Sequence, residues 1–350
     1  LQYAFEQRAS DIHIEPRRDY GKVRLWGSVS FIVSSSIMGG LITRFDNNII
    51  LVAMLATFLR FDIRLPDSLY PVLSSFLLLA IGIKGGKALS ETSPADMWKP
   101  LIASLVLGFI TPLIAFYLFR LITKFNVINA AALAAHYGSV SAVTFTVLLT
   151  SLESRGMTYE SFAAGLLAIL EIVGIIVALF LARNATQSGS WKSGLGEVIR
   201  GKSITLLVAG LIIGAVVGKE RLMPVDPVFV GLFTGALTLF LLELGVVAAE
   251  RMRDVKESGI RLVLLGIAIP LCNGFIGAAA GSLAGLSTGG VAIMATLAGS
   301  ASYIAAPAAV TAALPSASPG IYVTASLGIT FPFNLTIGIP TYIGMANLLS

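Results

Sequence analysis

The sequence predicts an all-α membrane protein of about ten transmembrane helices, arranged as two inverted-topology five-helix repeats with broken helices. Three observations predict it. The 350 residues are 56% hydrophobic and only 12% charged, about half the charged share of a soluble domain, and mean hydropathy is +0.87. The charges fall in short loops between apolar runs of roughly 20 residues, the length that crosses a ~30 Å hydrocarbon core as helix. Two glycine–serine tetrads recur about 160 residues apart, half the membrane part of the chain. The 35 glycines suit close helix packing in lipid.

Several classes are disfavoured at once. A net charge of +5 does not suggest nucleic acid, because basic residues in a membrane protein mainly set orientation. The single Cys272 excludes an internal disulfide and a cysteine-based metal cluster. There is no His–Glu zinc signature, no paired aspartates and no Ser–His arrangement, so no enzyme is expected and no catalytic residue, metal or cofactor is assigned.

Residues 1–27 are polar and read as a non-native or extramembrane extension. Within them Gln7, Arg8, Ala9, Ser10, Asp11, Ile12, His13, Ile14, Glu15 and Pro16 form a stretch that resembles a fragment of type II secretion and type IV pilus assembly ATPases. Nothing else in the chain supports an ATPase. The nearest approach to a phosphate loop, Gly214 to Lys219, has one residue too few between its glycines and is followed by Glu220 where Ser or Thr is needed. Segment 28–47 is apolar, short and rich in Ser and Gly, which leaves it between a span and an interfacial piece.

Ten apolar segments follow, near 48–60, 67–83, 100–122, 127–151, 160–182, 203–218, 227–249, 260–281, 289–313 and 319–346. The first five make one membrane repeat (48–182) and the last five another (203–350), joined by a loop at 183–202. Alternate loops gather the charge unequally. Arg60, Arg64, Arg120, Lys124, Arg183, Lys192, Arg200, Lys202, Arg251, Arg253, Lys256 and Arg261 fall on the richer side, and Lys84, Lys87, Lys99, Arg155, Lys219 and Arg221 on the other. The richer side, with the 183–202 loop, is predicted to be cytoplasmic, as in a bacterial inner-membrane protein.

The tetrads are Gly138, Ser139, Val140 and Ser141, and Gly299, Ser300, Ala301 and Ser302. Further along each copy, the run Gly165 to Glu171 resembles Gly328 to Asn334. Five spans per half invert the second copy relative to the first, as in many secondary transporters. Glycine at mid-span lets a helix break, and serine hydroxyls satisfy the freed backbone groups. A break exposes a half-helix N-terminus, with unpaired N–H groups and partial positive charge. Two such ends brought together make an anion site without a full cation. Oxygens freed at the same break suit Na+. The bland reading of small residues is close packing. It fits Gly210, Gly214 and Gly218, and Gly277, Gly281 and Gly285, which recur every four residues.

Other polar residues are weighed singly. Glu171 sits mid-span, where a charge costs about 2.5–3.5 kcal/mol on insertion scales, so it reads as a cation ligand or proton carrier, or as a neutral packing carboxyl. Thr144, Ser302 and Asn334 are further candidate ion ligands. Glu243 lies nearer the end of its span and reads mainly as structural, Asn273 as a packing hydrogen bond, and His136 as a capping or packing residue.

At these residues the sequence resembles the sodium-dependent bicarbonate transporter family. The resemblance runs through the first tetrad with Thr144, Thr150 to Glu153, Tyr159 and Glu160. It continues through the second tetrad with Pro307, Leu314 to Pro319, Ile339 and Pro340, and also takes in Ile81 to Gly86. It implies bicarbonate held between the tetrads, Na+ as coupling ion, a homotrimer in the lipid bilayer, and control by a PII-like regulatory protein. One departure is plain: the family has Asp after the second tetrad, near its sodium site, and this chain has Tyr303. That leaves open a carrier of another small carboxylate, proton-coupled through Glu171, and a membrane receptor or scaffold for a PII-like protein.

Overall fold

A computed structural model describes residues 48–66, 68–186 and 200–350. The chain divides into two compact units, Leu1–Phe45 and Asp46–Ser350, and all described residues lie in the second. The predicted extension 1–27, the apolar segment 28–47 and residues 187–199 of the predicted loop lie outside them.

The described residues form helices and no strands. In order these are α1 (Asn48–Phe58), α2 (Leu69–Leu89), α3 (Pro94–Leu118), α4 (Val127–Gly138), α5 (Ala142–Ser154), α6 (Ala163–Thr186), α7 (Lys202–Leu222), α8 (Phe233–Ser258), α9 (Ile260–Leu283), α10 (Thr288–Ala298) and α11 (Ala305–Ala313). The last is a continuous helical run, α12 (Pro319–Leu349), wound as π-helix over Thr324–Thr330 and Asn334–Gly338. Among the described residues, seven helical segments are long and apolar enough to cross a membrane, and three shorter apolar ones, Ile49–Phe58, Ile204–Gly218 and Thr288–Ala298, accompany them. Each falls on one of the segments read from the sequence. The outer surface agrees with lipid as solvent: Val216 is 79% exposed and Leu283 86%, an arrangement a water-soluble monomer avoids.

Helix ends are fixed by local chemistry. Ser93 accepts from the Ala95 N–H at the start of α3, with Pro94 as first helical residue. Asn126 Oδ1 accepts from the Asn129 N–H (2.8 Å) at the start of α4, and Ser287 Oγ accepts from the Gly290 N–H (3.2 Å) at the start of α10. Gly218 takes φ 76° and ψ 168° and kinks α7 one turn before its end, a conformation open to glycine alone without strain.

Close contacts come in matched pairs between the two halves. α2 packs tightly on α7, and α8 on α1; α3 packs on α4, and α9 on α10; α4 packs on α6, and α10 on α12. This is the pattern that two copies of one five-segment unit would give. The tightest seam is α2 on α7. A Cβ on Gly82 would lie 2.9 Å from Gly210 Cα, and one on Gly86 2.9 Å from Gly214 Cα, so the two backbones touch at four glycines. Loop charges also segregate as read: Arg64 reaches Glu250 (3.0 Å) and Arg261 reaches the Ile122 carbonyl (3.3 Å), while Lys87 pairs with Asp226.

Candidate functional site

Both tetrads break their helices. α4 ends at Gly138 and α5 begins at Ala142, so Ser139, Val140 and Ser141 are non-helical. α10 ends at Ala298 and α11 begins at Ala305, so residues 299–304 are non-helical. The sequence read each as one segment, 127–151 and 289–313. The break follows from what packs around it. A Cβ on Gly138 would lie 2.5 Å from Pro112 of α3, and one on Gly299 2.8 Å from the Pro270 carbonyl of α9. Each tetrad glycine thus seats against an interior proline of the preceding helix, in corresponding places.

The two breaks bond to each other. The Ser141 N–H donates to Ser300 Oγ (2.9 Å), and the Ser302 N–H donates to the His136 carbonyl (2.8 Å). Ser300 Oγ in turn donates to the Leu297 carbonyl (2.9 Å), closing the end of α10. Ser141 Oγ caps α5, accepting from the Thr144 N–H (3.1 Å) and from Thr144 Oγ1 (3.0 Å). Ser302 Oγ accepts from the Ala306 N–H in the first turn of α11 (3.3 Å). The N-termini of α5 and α11 therefore meet at the crossing, each carrying the partial positive charge of an unfinished backbone ladder.

A cavity of about 10 Å³ sits there, lined by Val140, Ser141, Ala142, Glu171, Ser302 and Tyr303 together with Leu78 and Ile304. It has room for about one water, so the crossing is closed. Glu171 is the one carboxylate lining it. It is buried, and its Oε2 has no hydrogen-bond partner. Ser139 Oγ, the Tyr303 hydroxyl and His136 Nε2 are buried without partners as well. Buried polar atoms are nearly always paired. Glu171 and Tyr303 both line the cavity, so a ligand's atoms there would complete their bonding.

The remaining expected ligands sit differently. Asn334 is engaged at both ends: its Nδ2 donates to the Gly299 carbonyl (2.9 Å) and its Oδ1 accepts from the Tyr342 hydroxyl (2.9 Å). It buttresses the second break from behind. Gly138 and Gly299 are packing positions, and Ala301 is buried. His136 donates from Nδ1 to the Ala132 carbonyl (2.7 Å) and packs, tilted, on Tyr322 (4.6 Å between ring centres), the packing role read from the sequence. Glu243 accepts from the Leu65 N–H (2.9 Å) beside Arg64 (3.5 Å), also structural. Asn273 departs from expectation: neither end of its buried amide finds a partner, so the packing bond is not made.

Sequence reasoning noted Glu160 only as part of the family resemblance and missed its role. Its Oε1 accepts from the Ser287 N–H at the start of α10 (2.6 Å), tying the loop after α5 to the second half. The loop after α11 answers it: the Ser318 N–H donates to Asn129 Oδ1 in the first turn of α4 (2.8 Å). An acid next to a serine-capped helix start is a readable signal, but only once the two are known to be neighbours. Nearby, burial and then the Glu153 carboxylate that it donates to (2.9 Å) raise the Tyr159 phenol well above its ordinary range.

A sequence profile of the Na+-dependent bicarbonate transporter superfamily matches residues 48–347. The chain belongs to that superfamily. The match covers both helix breaks and every described helix except the last two residues of α12, and it begins at residue 48. A stretch of 36 residues is also 56% identical to the probable 3-phenylpropionic acid transporter of Escherichia coli (strain K12). That stretch is 10% of this chain, and the chain spans only about a tenth of that relative's length. The protein is thus a multi-pass membrane transporter of the bicarbonate transporter superfamily.

Proposed function

We propose that this superfamily member carries a small monovalent anion, bicarbonate, into the bacterial cell across the inner membrane, using Na+ as the coupling ion. The observation that carries the reading is the crossing. Two helix N-termini, each capped by a serine of its tetrad, and one unpartnered carboxylate oxygen face the same closed cavity. The N-termini supply donors and positive potential for the anion, drawn from Ser139, Ser141, Ser300 and Ser302. Glu171 supplies the negative oxygen a cation needs, from α6 and not from position 303, where the family has Asp and this chain has Tyr303. Anion and cation then neutralise each other in a low-dielectric site, which favours their moving together. Two inverted repeats, alternately opening the crossing to either side, would perform the transport. A homotrimer and a PII-like regulator are further expectations from the family.

The test is uptake of labelled bicarbonate in a host lacking its own carriers, with and without Na+. Sodium-dependent uptake is expected, and Ser139→Ala and Ser302→Ala should each reduce it while the protein still inserts. Normal transport by both variants would remove the tetrads from the site. A second reading, proton coupling, is favoured by Glu171 lacking any cationic neighbour at the cavity. Uptake that ignores Na+ and collapses with a protonophore would establish it.

A further inference from the structure

A larger cavity lies beyond the crossing. It measures about 300 Å³ and is lined by Lys84 and Ile81 of α2, Thr150 and Glu153 of α5, Tyr159, and Phe233 of α8, among others. That volume is at the lower end of small-molecule sites. A narrow waist of about 10 Å³ continues from it at Ile81, past Ala142, Thr146 and Phe240, to Leu78 and Ile304. Those last two residues also line the crossing. A third cavity, of about 210 Å³, shares Leu78 and Ile304 with the crossing and is lined by Tyr70 and Lys202 as well. α2 runs beside all of these spaces. From Tyr70 to Lys84 it rises roughly 21 Å at 1.5 Å per residue, most of a hydrocarbon core.

Two charged side chains line the larger cavity, and they are not equally committed. Glu153 accepts the Tyr159 hydroxyl (2.9 Å). Among the described residues no carboxylate lies within salt-bridge distance of Lys84. Its ammonium sits over the Phe233 ring, 4.6 Å from the centroid, a contact that holds a cation in place without neutralising it. The hydroxyls of Thr150 and Ser161 line the same space. A lysine that served only to reach the membrane surface would extend its head into water. This one faces a cavity on the line to the crossing.

We propose that this cavity is a second anion-binding site, a waiting station where Lys84 gathers a small monovalent anion before it reaches the tetrads. The proposal rests on the transport reading only for the identity of the anion. Its test needs no transport. In a Cys272→Ser background, Thr150→Cys places a thiol in the cavity. Its reaction rates with an anionic sulfonatoethyl and a neutral methyl methanethiosulfonate report the local potential. Lys84→Gln should lower the anionic-to-neutral rate ratio about five- to tenfold, the size of one charge acting at close range, and Lys84→Arg should keep it. Sodium bicarbonate should slow the labelling while Lys84 is present and not after Lys84→Gln. Protection by acetate but not by bicarbonate keeps the station and changes the cargo. A ratio indifferent to Lys84→Gln, or protection by neither anion, overturns the proposal. Ser302, which does not line this cavity, should not affect the labelling ratio when changed to Ala, so failure of the station and failure of the crossing are told apart.

Discussion

Glu171 is where a one-residue change has the clearest chemical meaning. Its Oε2 is buried and unpartnered at the crossing, so a cation bound there would be held by a full charge and by little else. Glu171→Gln keeps the shape and removes the charge. It should abolish ion-dependent uptake, with membrane insertion unchanged, as measured by labelled-bicarbonate flux against ion concentration. Adding Tyr303→Asp to that variant should restore part of the sodium dependence, because position 303 lines the same cavity. Much of this was legible. A carboxylate in the middle of an apolar run has few reasons to exist other than function, and the serines announced themselves by spacing. The fate of Asn334 was not legible. It occupies the place corresponding to Glu171 in the second half, yet its amide is consumed by Gly299 and Tyr342. Correspondence in sequence gives a position. What faces that position depends on partners from distant parts of the chain.

At the scale of elements, the glycine rows show how a pattern divides into separate physical jobs. Gly210 and Gly214 pack against the α2 backbone, and Gly277 and Gly281 against Met294 of α10, as spacing by four suggests. The last member of each row does something else. Gly218 and Gly285 take φ 76° and 78° with nothing around them, and they end the regular winding. Period alone does not separate contact from termination, since both ask for a missing side chain. Gly174 is the sharpest contact case, because a Cβ there would fall onto the Gly138 carbonyl at the first break. Gly174→Ala should destabilise the detergent-solubilised protein by about 1–3 kcal/mol, the usual cost of overpacking, and reduce uptake. Gly165→Ala, in the same helix with nothing within 4 Å, should leave thermal unfolding near wild type. The helix breaks themselves were readable from Gly and Ser at mid-span. The mutual bonds of Ser141 with Ser300 and of Ser302 with His136 were not, because no local pattern records which distant backbone fills a gap.

For the molecule as a whole, the packing of α2 on α7 and of α8 on α1, each pairing a helix of one half with a helix of the other, means that neither half buries all of its own faces. Chains covering 48–186 and 200–350, made separately, should each enter the membrane and show no uptake. Made together, they should associate and recover it, measured by co-purification and flux. Full activity from either alone would refute the interdependence.

The same interlocking has a consequence in time. Asn129 in the first turn of α4 waits for Ser318, 189 residues later in the chain, and the start of α10 needs Glu160, made 127 residues earlier. At roughly 5–20 residues per second of synthesis, the earlier half spends about ten to forty seconds in the bilayer before its counterpart leaves the ribosome. During that interval its broken helix has no distant partner. A cell making this protein must therefore shelter an unfinished polar seam in oil, and conditions that stretch the delay, such as slowed translation of the second half, should send more of the newborn chain to proteolysis.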